Sequence, residues 1–450
     1  MDLPVQQFRT KAEQAYFDMF EAVAKALPGA RDAAVADLRE KAIRAYARLG
    51  LPHRRIEQWK YTDLRARLTD VHPLLEPGEL AVSEAGLERA LGREIARLPA
   101  YRLVVVEGDF RPDLSDVARL KAAGIEAVSL GQALETSPAW LAATLAAVNP
   151  REDDPVLALN TALMTGGVAL HLGDGVNLDK PIHLVQLDGK GGPASMITRN
   201  LVVAEPGSSA TLLESFGGLG VSGLQRNAVT QVKLAEKAAL KHVKLQREGQ
   251  DTIHLSTWLV DLAAESRYDA FQFSVGAALA RNQIYAKFIG ENAETSISGV
   301  FLLRERQHCD TTILVEHLVP HCGTRELLKA VLDNESRGVF QGKIIVAPGA
   351  QKTDSKQMAQ ALLLSEGAEF DSKPELEIFA DDVICGHGST SGQIDEELLF
   401  YLEARGIPEA QARALLIQAF VGDALEKVED EPLRDALARA AAEWLGISFD

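Results

Sequence analysis

Cysteine is nearly absent. Three thiols in 450 residues, Cys309, Cys322 and Cys385, are too few for a disulfide framework and point to a reducing compartment. Long apolar runs are missing too. No window approaches the ~20 residues that a membrane-spanning helix needs. The opening MDLPVQQFRTKAEQAYFDMF interrupts with polar residues the apolar core of a secretory signal. The expectation is a cytoplasmic chain with no membrane partner. Cations are in deficit, 47 Lys and Arg against 64 Asp and Glu, for a net charge of −17 with no basic block. Nucleic acid is therefore excluded as a partner, because phosphate neutralisation supplies most of that affinity. Nucleotide loops are lacking as well. The nearest match to a P-loop, Gly338 to Ile344 (GVFQGKI), has one residue too few between its glycines and Ile344 in place of the magnesium-binding hydroxyl. Gly173-Asp174-Gly175 belongs to no GxGxxG run. No ATP is expected to bind to this chain.

What is present is ordinary globular material, 46% hydrophobic and 25% charged, long enough for two or three structural units. Residues 1–150 read as mainly helical. Phe8, Tyr16, Met19, Phe20, Val23 and Leu27 recur at helical spacing before Pro28-Gly29. A second helix, roughly Arg31 to Leu49, stops at Gly50. Segments 77–100 and 115–148 look helical, the latter most clearly at AWLAATLAAVN. Leu103 to Val106 reads as a strand followed by a turn. From about Asp154 the character changes to short β-branched runs such as VALHL, IHLVQL and STWLVDL. Small or acidic turns separate them: EPGSS at 205–209, AEKA at 235–238, AAES at 263–266, GENAE at 290–294 and DNES at 333–336. This loose repeat over 151–392 suits a parallel β-helix better than a sandwich, although periodicity alone leaves both open. Residues 393–450 return to helix. Ile394, Leu398, Tyr401 and Leu402 form one stripe, and Leu415, Leu416 and Phe420 belong to the apolar face of the next helix.

Two groups of side chains carry candidate chemistry. His308, Cys309, His317, His321 and Cys322 are the densest set of possible metal ligands, but their spacing matches no zinc pattern, and neighbouring strand residues face opposite sides. Buried polar residues, an assembly interface and a metal site all stay open for them. Cys385 and His387 stand two apart at the end of the β-rich region, so a strand puts both on one face. A soft sulfur with a borderline nitrogen suits iron, zinc or copper, while buried free cysteine is the plainer reading. Gly386 and Gly388 flank the imidazole and leave room for close approach. Asp381-Asp382 could suggest a β-helix carbohydrate-active enzyme, but adjacent strand residues cannot flank one glycosidic bond. Trp59-Lys60-Tyr61-Thr62 reads as packing.

Three stretches together resemble the SufB/SufD family of the SUF iron–sulfur cluster assembly system. They are RRIEQWKYTDL (Arg54 to Leu64), His308 to Val346, and LLLSEGAEFDSKPELEIFADDVICGHGSTSGQIDEELLFYLEARGI (Leu362 to Ile407). His387, where SufB-like chains have glutamate, and the lack of cysteine between Cys322 and Cys385 align it with the SufD branch. Gly386, Ser389 and Ser391 depart mildly from that branch. The resemblance implies a right-handed parallel β-helix core flanked by N-terminal and C-terminal helical regions. It implies a non-catalytic scaffold subunit in a complex with SufB, joined end to end, and with two copies of the ATPase SufC, docked on the C-terminal helices. Ile394, Leu398, Tyr401, Leu402, Leu416 and Phe420 are the expected docking residues. Cys385 and His387 would hold transient iron or a nascent cluster shared with SufB, His387 taking the leading part. A reduced flavin is linked to the family's complex as electron source, though no flavin fingerprint is present here. A homodimeric scaffold is the alternative assembly, and a homodimer stays open for the chain expressed alone.

Overall fold

The computed structural model describes residues 10–75, 78, 80–136, 138, 140, 141, 144, 153–189 and 191–446. Phe8 and most of AWLAATLAAVN lie outside the described residues. The strand-forming runs wind into a parallel β-solenoid. Among the described residues a ten-stranded and a nine-stranded sheet receive alternate strands. Successive coils stack in register; for example, Ile253 to Leu262 pairs residue for residue with Leu279 to Phe288. One corner is built alike in five coils. Gly207, Lys237, Glu265, His321 and Lys352 all have φ between 56° and 65°. Their N–H groups donate to a carbonyl of the next coil's turn: Glu236, Ala264, Glu291, Gln351 and Asp382 respectively. A left-handed residue turns its amide along the solenoid axis, and the coil-to-coil bond offsets the strain of a non-glycine there. This is the physical content of the loose repeat in the sequence.

Inside the solenoid, alternate side chains make a core of Trp258, Tyr268, Phe288, Phe301 and Phe340, all fully buried. Each such ring contributes roughly 1.5–3 kcal/mol by leaving water. One carboxylate in that interior is fully paired. The Glu214 carboxylate accepts from Thr230 Oγ1 at 2.6 Å, Trp258 Nε1 at 3.0 Å and Asn200 Nδ2 at 3.1 Å, and lies 3.1 Å from His242 Nε2. A buried charge without such partners would be far more costly.

The two sheets are covered on their outer faces by the chain ends. Helices Lys11–Val23 and Ala33–Leu49 carry Tyr16, Phe20, Ile43 and Tyr46 into a cluster that reaches Leu255 and Leu279 of the nine-stranded sheet. Three C-terminal helices, Glu396–Glu403, Glu409–Leu425 and Glu431–Trp444, cover Val243, Phe271, Val300 and Val331 of the other. The motif around Trp59 is an anchor. The Arg281 guanidinium lies 3.7 Å from the centre of the Trp59 ring, donates to Gln58 O at 2.7 Å and pairs with Asp310. Thr62 hydrogen-bonds Asp310 and shares a 2.9 Å bond with His308 Nε2.

Helix is not the whole content of the region before residue 150. Strand Tyr101–Val106 extends the ten-stranded sheet beside Ile182–Leu187, and Asp109–Phe110 adds an antiparallel edge. Ile125–Ser129, inside a stretch read as helix, pairs antiparallel with Val168–Leu172 and ends the other sheet. Short helices Val117–Ala122 and Leu130–Thr136 flank it. The N-terminal end is thus closed by reversed strands, whereas the C-terminal end stops at two bare strands, Glu369–Ile378 and Ile384–Gly392.

Candidate functional site

Cys385 and His387 lie on the bare strand Ile384–Gly392, which pairs in parallel with Asp354–Leu363 so that Cys385 stands over Ser355 and His387 over Gln357. Ser355 and Gln357 are buried, while Lys356 and Met358, which alternate with them along the strand, are exposed. Both candidate ligands therefore occupy interior-facing positions at the solenoid's open mouth, on one side of the strand as their spacing requires. Cys385 is half-buried against the interior core and His387 is exposed. Burial pushes the Cys385 thiol above its ordinary value, with the Ser355 backbone opposing. The free chain therefore presents a protonated sulfur. The flanking glycines differ in kind. A Cβ at Gly388 would come within 2.8 Å of Met358 Cε, whereas a Cβ at Gly386 would meet nothing within 4 Å. Gly388 serves packing in this chain; Gly386 leaves open space.

Two polar columns run inward from this pair. Beneath Cys385 come Ser355 and Thr324, whose hydroxyls lie 3.0 and 2.9 Å from His317 Nε2. The His317 ring is buried and stacks on Phe288, and burial lowers its pKa to about 4, so it stays neutral. Beneath His387 come Gln357 and Glu326. Burial pushes the Glu326 carboxyl up to about 8, and the nearby Gln357 amide only partly opposes this. That amide is not aligned as a partner: neither Glu326 oxygen and neither Gln357 amide atom makes a hydrogen bond among the described residues.

The second histidine–cysteine group does not converge. His308 faces outward to Thr62, and burial lowers it to about 4. Cys309 faces inward, where burial raises its thiol to about 12. His321 is the left-handed corner residue of its coil, and Cys322 Sγ lies 3.5 Å from Gly290 O. All four have structural duties here. Among the described residues no three His, Cys, Asp or Glu side chains form a metal-binding group, and no helix is long and apolar enough to cross a membrane.

The expected docking stripe divides. Ile394 is buried in this chain's own core and precedes the helix, which Asp395 caps by accepting from Glu397 and Leu398 N–H. Ile394 is thus a packing residue in this chain. Leu402, Leu416 and Phe420 are half-buried against the same core, and Phe420 stacks under Lys329 Nζ at 4.5 Å. Leu398 and Tyr401 are exposed, together with Phe400, which the helical stripe did not include. Phe379 and Ile384, 62% and 66% exposed at the open mouth, were also missed. Their signal was an apolar residue at each side of a strand end with no later coil to cover it. An open groove of about 1100 Å³ runs from Cys385 and His387 past Arg325 and Asp354 to Glu426 and Glu429, in the connection between the last two helices.

The family model for the SUF system FeS cluster assembly SufBD core domain matches residues 186–420, and that for the SufBD protein N-terminal region matches 10–184. An iron–sulfur cluster assembly SufBD family protein of Synechocystis is 32% identical over 437 residues, 92% of each chain. The iron–sulfur cluster assembly protein SufD of Escherichia coli is 32% identical over 397 residues, 87% of this chain and 89% of that one. The chloroplastic protein ABCI7 of Arabidopsis is 31% identical over 279 residues, 60% of this chain and 58% of its own length. The solenoid between helical ends, the paired interior-facing thiol and imidazole, and these matches lead to one conclusion: this chain belongs to the SufB/SufD family of iron–sulfur cluster assembly proteins and is SufD-like.

Proposed function

We propose that the chain is the SufD-type subunit of a cytoplasmic scaffold that also contains a SufB-type solenoid and a SufC-type ATPase, and that it contributes His387 to the nascent cluster. The observation that carries this reading is the placement of Cys385 and His387 at the solenoid end that has no cap among the described residues. Two side chains cannot hold iron alone, so a second chain docked on that end completes the ligand set. Iron and sulfide are cargo there, and the subunit itself is a non-catalytic scaffold. Reduced flavin, where it supplies electrons, acts in the full complex.

The exposed Leu398 and Tyr401 suit an ATPase docking face, and their helix, Glu396–Glu403, follows directly on the strand Ile384–Gly392 that carries His387, a short route for movement of that face. Such coupling requires ATP to favour one arrangement of the assembly over another. Cys385 plays the lesser part of the pair, and the partner's cysteine supplies the essential thiolate.

The test is anaerobic co-expression of His387→Ala with the SufB and SufC counterparts. The variant is expected to fold, assemble and melt as wild type, because the imidazole is exposed, yet to lose iron and sulfide. Cys385→Ser is expected to lose less. A His387→Ala complex with wild-type iron, sulfide and visible absorption would overturn the reading.

A further inference from the structure

Two buried carboxylates deep in the solenoid have their partners. Glu248 pairs with Arg226 at 2.5 Å, and Glu214 has the hydrogen bonds given above. Glu326 differs. Among the described residues it is the only carboxylate with both oxygens buried and without a hydrogen bond, and only the nearby Gln357 amide opposes the effect of its burial. Such groups are rare in native proteins, and an ion or a functional role is a common reason for one. Gln357, next to Glu326 in register, repeats the pattern. It is 2% exposed, and neither atom of its amide is bonded among the described residues. Its side chain reaches across the interior to the opposite sheet, where a Cβ on Gly342 would come within 3.0 Å of Gln357 Nε2. The third member of this column is His387, over Gln357 at the mouth. The neighbouring column behaves otherwise, since Ser355 and Thr324 settle their hydroxyls on His317 Nε2. Both unsatisfied side chains thus lie beneath the imidazole read above as an iron ligand.

We propose that Glu326 and Gln357 are inner oxygen ligands for ferrous iron, which this chain takes up together with His387 before any sulfur ligand is present. The inference rests on the reading that His387 binds iron. Rungs of the column are about 4.8 Å apart, so Glu326 and His387 each cover one rung to meet at the level of Gln357. An imidazole nitrogen, a carboxylate and an amide carbonyl form a nitrogen–oxygen set that suits a divalent ion such as Fe2+, with positions left open. A dication also gives the carboxylate the counter-charge that its surroundings lack. Uptake is an exchange: Fe2+ enters through the mouth, and the Glu326 proton leaves by it. When sulfide and a partner's thiolate arrive, the iron moves outward to these softer ligands, and the buried carboxyl takes a proton back from solvent. No electron changes hands in either step. The inner pair holds iron in waiting and is not part of the finished cluster.

The experiment is an anaerobic titration of the full chain with Fe2+ against a coloured chelator, repeated with Mn2+ by EPR because that ion prefers oxygen. Wild type is expected to bind about one ion of either kind per chain. Glu326→Gln keeps the shape of a neutral carboxyl, and Gln357→Leu removes an amide without a partner, so both variants are expected to fold and melt no lower than wild type. Each should lose at least about tenfold in affinity for both ions, the size of loss that even an outer-shell partner produces. No ion bound by wild type, or wild-type affinity in either variant, would overturn the proposal. His387→Ala separates this inference from the reading beneath it. If that variant binds Fe2+ as wild type does, His387 is no iron ligand and the proposal falls with the reading. If it loses Fe2+ while the Glu326 and Gln357 variants bind normally, the inner ligands alone are wrong.

Discussion

Glu326 lies two strands inside His387, buried, with no hydrogen-bond partner for either oxygen among the described residues. Its folded pKa, about 8, exceeds the ordinary 4.5, so the folded chain binds the extra proton between those values. Stability from this group is present at low pH and lost as pH rises toward 8. Glu326→Gln should therefore gain on wild type by about 3 kcal/mol between pH 5 and pH 8. Urea unfolding at both pH values checks this, and parallel curves would refute it. Histidines act in the opposite sense. His183 is lowered to about 3 and His254, His308 and His317 to about 4, so their contribution is present above pH 6.5 and lost as pH falls toward 4. At this scale the sequence was legible where strand geometry alone decides, as for Cys385 and His387. It was silent for His321, because whether a histidine is a ligand or a corner residue depends on backbone φ.

The C-terminal helices show why an apolar stripe overstates a docking face. Helical spacing groups side chains by angle about one axis, but what covers each is decided by neighbouring elements. Ile394 and Leu399 went to the solenoid, Leu398 and Tyr401 to solvent. Leu398→Glu should weaken ATPase association at unchanged melting temperature, since an unpaired charge at an interface is costly to desolvate. Ile394→Ala should do the reverse, costing about 2–4 kcal/mol of stability with docking intact in what folds. Pull-down with the ATPase alongside thermal melting tells the two apart. The Trp59 anchor belongs here as well. Trp59→Ala removes a buried ring and uncovers the Arg281–Asp310 pair, so a loss of about 3–5 kcal/mol is expected in urea unfolding. Helix ends were legible where a cap marks them, as at Gly50 with φ 71°. The strand Ile125–Ser129 was not, because an antiparallel closing strand owes its place to tertiary pairing and carries no repeat of its own.

For the whole molecule, coil stacking predicts a gradient of order. Interior strands have neighbours on both sides, whereas Glu369–Ile378 and Ile384–Gly392 have one. Amide exchange in the isolated chain should be fastest in those two strands and slow there on binding the SufB-type chain, while the 253–262 and 279–288 strands stay protected throughout. Equal protection at the mouth with and without the partner would count against end-to-end joining. Solenoid architecture was legible from turn spacing, but the closure of one end and the openness of the other were not, since both follow from which strands lack a neighbour.

The reversed strands at the N-terminal end have a consequence for size. Stacked parallel coils are a template for endless growth, each bare edge inviting the next chain. Here Asp109–Phe110 and Ile125–Ser129 run against the stack and block one side, so the molecule is a monofunctional unit in the polymer chemist's sense. Such units terminate chains. If the body that joins at the mouth is closed at its own far end, assembly through the sheets stops at two, and any larger complex is built sideways through helices.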